Sequence, residues 1–174
     1  MARLRKGVCY RRIERPYTRV SKYRELSYVK SKPHLKITKF EMGNPNGKFD
    51  VQFDLISKSD LQVRQEAIEA ARKVIVKILD RKVGNYNYFF RIRKYPHHVL
   101  RENPLATGAG ADRLSTGMSL AFGKPIGIAA QVFKNEPIFT IKVSKEFRDI
   151  VRSALRSAKS KLPNQWSITE KILK

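Results

Sequence analysis

Between Arg101 and Gly127 the chain reads RENPLATGAGADRLSTGMSLAFGKPIG, and its middle shows no sustained apolar period of a helix or a strand. A chain of 174 residues is one domain by default. Long irregular loops inside a compact domain are uncommon, and those that occur are usually functional or disordered. The stretch holds five of the nine glycines, at 108, 110, 117, 123 and 127. Glycine permits backbone conformations and close approaches that a side chain blocks. With Arg101, Arg113 and Lys124 against Glu102 and Asp112, its net charge is +1, in a chain of net charge +22. The domain must therefore carry a near-neutral loop on a strongly basic body.

The 37 Lys and Arg against 15 Asp and Glu repel one another unless they meet a polyanion, and nucleic acid is the first candidate. A hydrophobic fraction of 41% is ordinary for a globular protein. No run of about 18 apolar residues is present, so no membrane partner is expected. The basic amino terminus is followed by no apolar signal-peptide core. The single cysteine, Cys9, excludes internal disulfides and fits a reducing cytosol. With no base placed beside it, Cys9 reads as an inert small residue.

Residues 1–32 carry eleven cations and two acids. Arg3, Arg5, Lys6, Arg11, Arg12, Arg15, Arg19, Lys22 and Arg24 are interleaved with Tyr10, Tyr17, Tyr23 and Tyr28. Cations neutralise phosphates, and tyrosine stacks on exposed bases. This segment reads as a basic RNA-binding extension over 1–34, mobile when free, with Pro33 marking its end.

From Leu35 onward the pattern is that of one folded domain, 35–174. Leu35 and Ile37, then Phe40 and Met42, suggest a strand with a bulge. After a turn at 43–47, Phe49, Val51, Phe53 and Leu55 alternate with polar residues, and the two strands read as a hairpin. Ser59 and Gln62 have capping-box spacing, and Ala67, Ala71, Val74, Ile75, Ile78 and Leu79 follow at helical spacing to Lys82. Tyr88, Phe90 and Ile92 point to one face of the next strand; Phe89, Arg91 and Arg93 point to the other, with Lys94 following. His97 to Leu100 lead into the loop. Beyond it, Ile126 to Val132 and Phe139 to Val143 read as a second hairpin turned at 135–137. Ser144 is the expected cap of a second helix, with Phe147, Ile150, Val151, Ala154, Leu155 and Ala158 buried. Arg148, Arg152, Arg156 and Lys159 share another face, where like charges call for an outside anion. Trp166 to Leu173 suggest a last strand after Pro163. The fold class is α+β: a mainly antiparallel sheet with two packed helices, a basic N-terminal extension and a long Gly-rich loop.

Catalytic readings of the loop fail on spacing. A P-loop needs four residues between its glycines, but Gly117 and Gly123 enclose five, and Pro125 stands where a magnesium-binding hydroxyl belongs. The dinucleotide pattern begins at Gly108 and Gly110 but meets Arg113 in place of its third glycine. His97 and His98 point apart on an extended backbone, and His34 is distant, so no metal and no cofactor is expected. Asp112 beside Arg113 reads as a local pair rather than a catalytic acid, and Ser115 with His98 and Asp112 makes no assigned triad.

AGADRLSTGM (109–118), AFGKPIG (121–127) and FRIRKYPHHVLREN (90–103) resemble the universal large-subunit ribosomal protein family that includes bacterial L-sixteen and archaeal L-ten-e. FEMGNP (40–45) and CYRRIERPYTR (9–19) are similar to its archaeal branch. The resemblance spans essentially the whole chain, without the carboxy-terminal extension of eukaryotic members. It implies a non-catalytic, cytoplasmic ribosomal protein that binds large-subunit rRNA. It also implies a loop, 103–118, reaching toward the tRNA acceptor arm and the peptidyl-transferase centre. Carried over residue by residue, Asn103, Gly108, Gly110, Asp112, Arg113, Gly117, Met118 and Lys124 form the loop site, with Arg113 facing RNA phosphate. Ser119 and Leu120 stand where many members have a basic residue, which shifts weight onto Arg113 and Lys124. Neighbouring ribosomal proteins and late assembly factors are the other partners implied. The competing reading is a free RNA-binding or RNA-modifying enzyme using Asp112 and the loop.

Overall fold

The computed structural model describes residues 6–14, 16, 18, 22–25, 33–103, 105, 106, 108–115 and 117–173. The elements in chain order are α1 (Val8–Arg11), β1 (Glu41–Gly43), β2 (Val51–Ser57), β3 (Leu61–Arg64), α2 (Gln65–Lys82), β4 (Tyr88–Ile92), β5 (His98–Glu102), α3 (Ala111–Leu114), β6 (Lys124–Val132), β7 (Pro137–Val143), α4 (Arg148–Lys159) and β8 (Trp166–Ile172). The α+β class holds, but the strands divide into two antiparallel sheets. One has the order β1-β4-β7-β2-β8 and the other β3-β6-β5.

Neither expected hairpin forms. β1 and β2 flank the predicted turn, yet β1 pairs with β4, and β2 lies between β7 and β8. Gly43 takes φ +85°, where an added Cβ would collide with the Tyr88 carbonyl oxygen, and the Asn44 amide donates to that same oxygen at 2.9 Å. The turn thus spends its bonds on β4. β6 and β7 are also joined by a tight turn, with Asn135 at φ 65°, but they enter different sheets. The Asn135 amide donates to the Ser57 carbonyl, and the Ser57 amide donates to Glu136, so this turn is tied to the end of β2. Alternation identifies a strand; it does not identify its partner.

The expected strand at Leu35–Met42 shrinks to Glu41–Gly43. Ile37 is fully buried in a segment outside both sheets. Gln65 holds that segment: its side-chain oxygen accepts from the Lys36 amide at 2.9 Å, and its Nε2 donates to the His34 carbonyl at 3.1 Å. A single amide side chain here replaces a strand neighbour.

The first long helix starts at Gln65, six residues after Ser59, because Leu61–Arg64 pair with Ala129–Val132. Ser59 Oγ accepts from Asn164, and Gln62 Nε2 donates to the Cys9 carbonyl, so no capping box forms. Its end at Lys82 is as expected, and Ile68, Ala71, Ile75 and Leu79 are buried. Ser144 makes no side-chain cap; a 3-10 turn at Lys145–Phe147 precedes α4. The Lys145 amide there donates to Asp50. His98–Glu102, expected as a lead-in, are strand β5 paired to β6.

The main core cluster joins α2, α4, the large sheet and the ends of β3 and β6, and Val99 and Ile128 form a smaller one with Leu35. Phe53, Phe90, Phe139 and Ile141 supply its sheet side, with the Phe90 and Phe139 rings edge-on at 5.5 Å. Burying each such side chain contributes about 1.5–3 kcal/mol. Among the described residues no helix is long and apolar enough to cross a membrane.

Candidate nucleic-acid interface

The amino-terminal segment is held on the small sheet by two glutamines. Gln62 Nε2 donates to the Cys9 carbonyl at 3.1 Å, and Gln131 Nε2 donates to the Glu14 carbonyl at 2.9 Å. Both glutamines are buried, so each amide gains the partner that burial demands. Lys6, Arg11, Arg12, Lys22 and Arg24 are exposed. Arg12 pairs with Glu14 at 2.8 Å. Arg3, Arg5, Arg15 and Arg19, with Tyr17 and Tyr28, lie outside the described residues.

Between this segment and the root of the loop lies a cleft of about 510 Å³ lined by Cys9, Arg12, Gln62, His98, Arg101 and Phe122, among others. The Arg101 guanidinium stacks on Phe122 at 4.1 Å, a cation–π contact. Burial, then His97 and Arg101, push the His98 pKa below its ordinary value, and Glu14 opposes them.

The face of β4 opposite the core presents Arg91 and Arg93, as the alternation requires. Arg91 is shared with Glu41 across the strand pair at 3.2 Å, and Lys94 with Glu136 at 2.5 Å. On α4 the four expected cations do share a side, but they divide. Arg148 and Arg152 both reach Glu170 on β8, Arg152 at 2.6 Å. Arg156 is exposed, and the charges that reach Lys159 are both positive. Burial, then Lys58 and Arg156, push the Lys159 pKa down. Lys58, Arg156 and Lys159 are thus a group of like charges. Lys58 had no signal in the sequence, because it lies about a hundred positions before the helix it joins. α4 and the β4 face lie on opposite sides of the large sheet, so one flat duplex does not touch both.

The loop has a stiff root and an open tip. At the root, Gly123 sits at φ 76° against β5, where an added Cβ would lie 2.8 Å from the Glu102 carbonyl carbon. Glu102 and Lys124 are register partners, so Lys124 belongs to the neck rather than the tip, and Asn103 is half-buried beside it. Farther out the Ala106 amide donates to Ser115 Oγ at 3.1 Å, linking the two arms. Gly108, Gly110 and Gly117 have φ of 116°, 75° and 71°, with nothing within 4 Å of an added Cβ. They serve the backbone path, not internal packing. Asp112 and Arg113 are exposed on α3, and Leu114 and Met118 are 79% and 83% exposed. The loop thus carries apolar side chains on its outer surface.

Residues 14–169 match the family profile described as ribosomal protein L16p/L10e. The large ribosomal subunit protein uL16 of Staphylothermus marinus is 47% identical over 172 residues, covering 98% of this chain and 95% of that one. The uL16 of Hyperthermus butylicus is 47% identical over 148 residues, covering 85% and 79%. That of Archaeoglobus fulgidus is 43% identical over 159 residues, covering 91% and 88%.

Proposed function

This chain belongs to the ribosomal protein L16p/L10e family, and from that premise we propose that its basic surfaces grip large-subunit rRNA while loop 103–118 reaches the tRNA acceptor arm near the peptidyl-transferase centre. Membership makes it a structural constituent of the large subunit of the cytoplasmic ribosome, acting in translation. Residues 1–34 act as an RNA-gripping extension of the 35–174 domain. The Lys58–Arg156–Lys159 cluster, the β4 face and the exposed cations of the extension supply phosphate contacts on several sides, as in a protein wedged among RNA helices. Neighbouring ribosomal proteins, and factors acting late in subunit assembly, complete its surroundings.

The observation that carries the reading of the loop is its construction. A neck locked by Gly123 holds out a tip whose glycines have no internal neighbour and whose Arg113, Leu114 and Met118 face outward. The competing enzyme reading needs Asp112 in a shielded site, and the carboxylate instead stands exposed on a four-residue helix. Deleting 104–117 is expected to leave the chain co-sedimenting with large subunits while slowing aminoacyl-tRNA accommodation, read by rapid-kinetics fluorescence. Unchanged accommodation would remove the loop's role. A chain found mainly free of subunits would remove the structural reading itself.

A further inference from the structure

The large sheet has a second face, and one row of it has an unusual composition. The register aligns Gly43 with Phe89, Phe89 with Lys142, Lys142 with Gln52, and Gln52 with Lys171. These five residues cross β1, β4, β7, β2 and β8 in a line. The core-facing neighbours on the same strands, Phe90, Ile141 and Phe53, are fully buried. Phe89, Lys142 and Gln52 are half-buried, and Lys171 is exposed. A phenylalanine on the polar face of a sheet is the feature that needs a reason.

We propose that this row binds a short unpaired segment of RNA, with one base stacked on Phe89 and the flanking phosphates held by Lys142 and Lys171. The inference rests on the reading of the chain as an rRNA-binding protein. Gly43 is fixed as glycine by its close approach to Tyr88, and so it leaves the β1 flank of the Phe89 ring without a cross-strand side chain. On the other flank the Lys142 ammonium stands 6.0 Å from the ring centroid, at the outer limit of a cation–π contact. It is placed to meet a phosphate attached to a base on that ring. Two strands farther on, at about 10 Å by normal strand spacing, Lys171 offers a second ammonium.

Gln52 lies between them and donates Nε2 to both oxygens of Asp54, at 3.1 and 2.9 Å. Thr140 also donates to Asp54, at 2.7 Å, so this acid is buried and occupied within the protein. Fixing the Gln52 amide in this way leaves its side-chain oxygen as an acceptor for a base edge. Arg91 borders the row on β4, its charge shared with Glu41, and Arg93 is exposed just beyond the strand. An aromatic flanked by cations on an open sheet suits single-stranded RNA, whose unstacked bases are free to lie flat. A duplex offers phosphates but no free base face.

The test uses the full chain and two fluorescein-labelled RNAs, a single strand and a blunt duplex, each of about 12 nucleotides per strand. Binding is read by anisotropy. Phe89→Leu is expected to weaken single-strand binding by about 5- to 100-fold and leave duplex binding within about twofold, and Phe89→Tyr to restore it. The Lys142→Gln/Lys171→Gln double variant is expected to lower the salt slope on the single strand by about 1.4. Near-UV circular dichroism checks the fold of each, and the lysine pair decides the matter if Phe89→Leu is misfolded. Equal losses on both RNAs, or no loss on the single strand, would overturn the row. A wild-type chain that binds neither RNA would overturn the rRNA-binding reading beneath it.

Discussion

Replacing Glu170 with glutamine separates what holds α4 in place from what it offers to RNA. Glu170 faces Phe53 across the β8–β2 register, so it stands on the helix-covered side of an edge strand. Its side chain is 17% exposed, and it takes the guanidinium of Arg152 at 2.6 Å and that of Arg148 beside it. Both arginines remain nearly half exposed, which screens the pairing. A fully exposed pair contributes about 0–1 kcal/mol, and breaking a buried one costs about 3–5 kcal/mol. The loss here is expected between these limits, at about 1–3 kcal/mol. For a domain of this size each kcal/mol moves Tm by about 2–4 °C, so a fall of roughly 5 °C is expected by calorimetry. RNA binding should change in the opposite direction. The Glu170–Arg148–Arg152 group goes from one net positive charge to two. If the released arginines meet phosphate, the log affinity against log salt becomes steeper by about 0.9 per added contact in filter binding. An unchanged Tm together with an unchanged slope would refute the clamp. A lower Tm with the same slope would keep the clamp and remove Arg148 and Arg152 from the RNA surface.

The two classes of loop glycine should respond differently. Gly123→Ala forces a Cβ against the Glu102 backbone at positive φ, and is expected to cost about 1–3 kcal/mol and raise hydrogen exchange at the loop neck. Gly108→Ala at φ 116° meets no neighbour, so it bears backbone strain alone and is expected to cost about 1–2 kcal/mol in urea denaturation without raising exchange at the neck. His98 supplies a pH test. Its folded pKa lies below the ordinary 6.5, so the unfolded chain takes up a proton that the folded chain resists. Stability from this group is complete above about pH 6.5 and is lost as pH falls through the folded pKa. His98→Gln should flatten that acid-side decline in urea midpoint, and an identical pH profile would exclude His98 as its source.

Local repetition made much of this structure legible. The stripe Val151, Ala154, Leu155 and Ala158 follows a helical period and is buried, and Tyr88, Phe90 and Ile92 follow a strand period and are buried. Wherever a position owes its role to a distant partner, the sequence was silent or misleading. Leu61 and Val63 looked like the first turn of a helix until Ala129–Val132 claimed them as a strand. Gln65 falls within the helix expected from Ser59 to Lys82, yet it bonds two backbone groups some thirty positions away. The cations of α4 look equivalent along the chain, and only the arrival of Glu170 and Lys58 divides them into a pair that shares one carboxylate and a group met by further positive charge.

The sequence by itself determined the charge excess, the α+β class, the family and the identity of the loop, because each is written in composition or in residues adjacent along the chain. Tertiary structure alone decided which strands pair, which of the described cations have an acid for a partner, and that five residues from five strands fall into one row with Phe89. Pairing and charge compensation depend on what closes across space. An apolar period records only that a residue turns inward, and never what it will meet there.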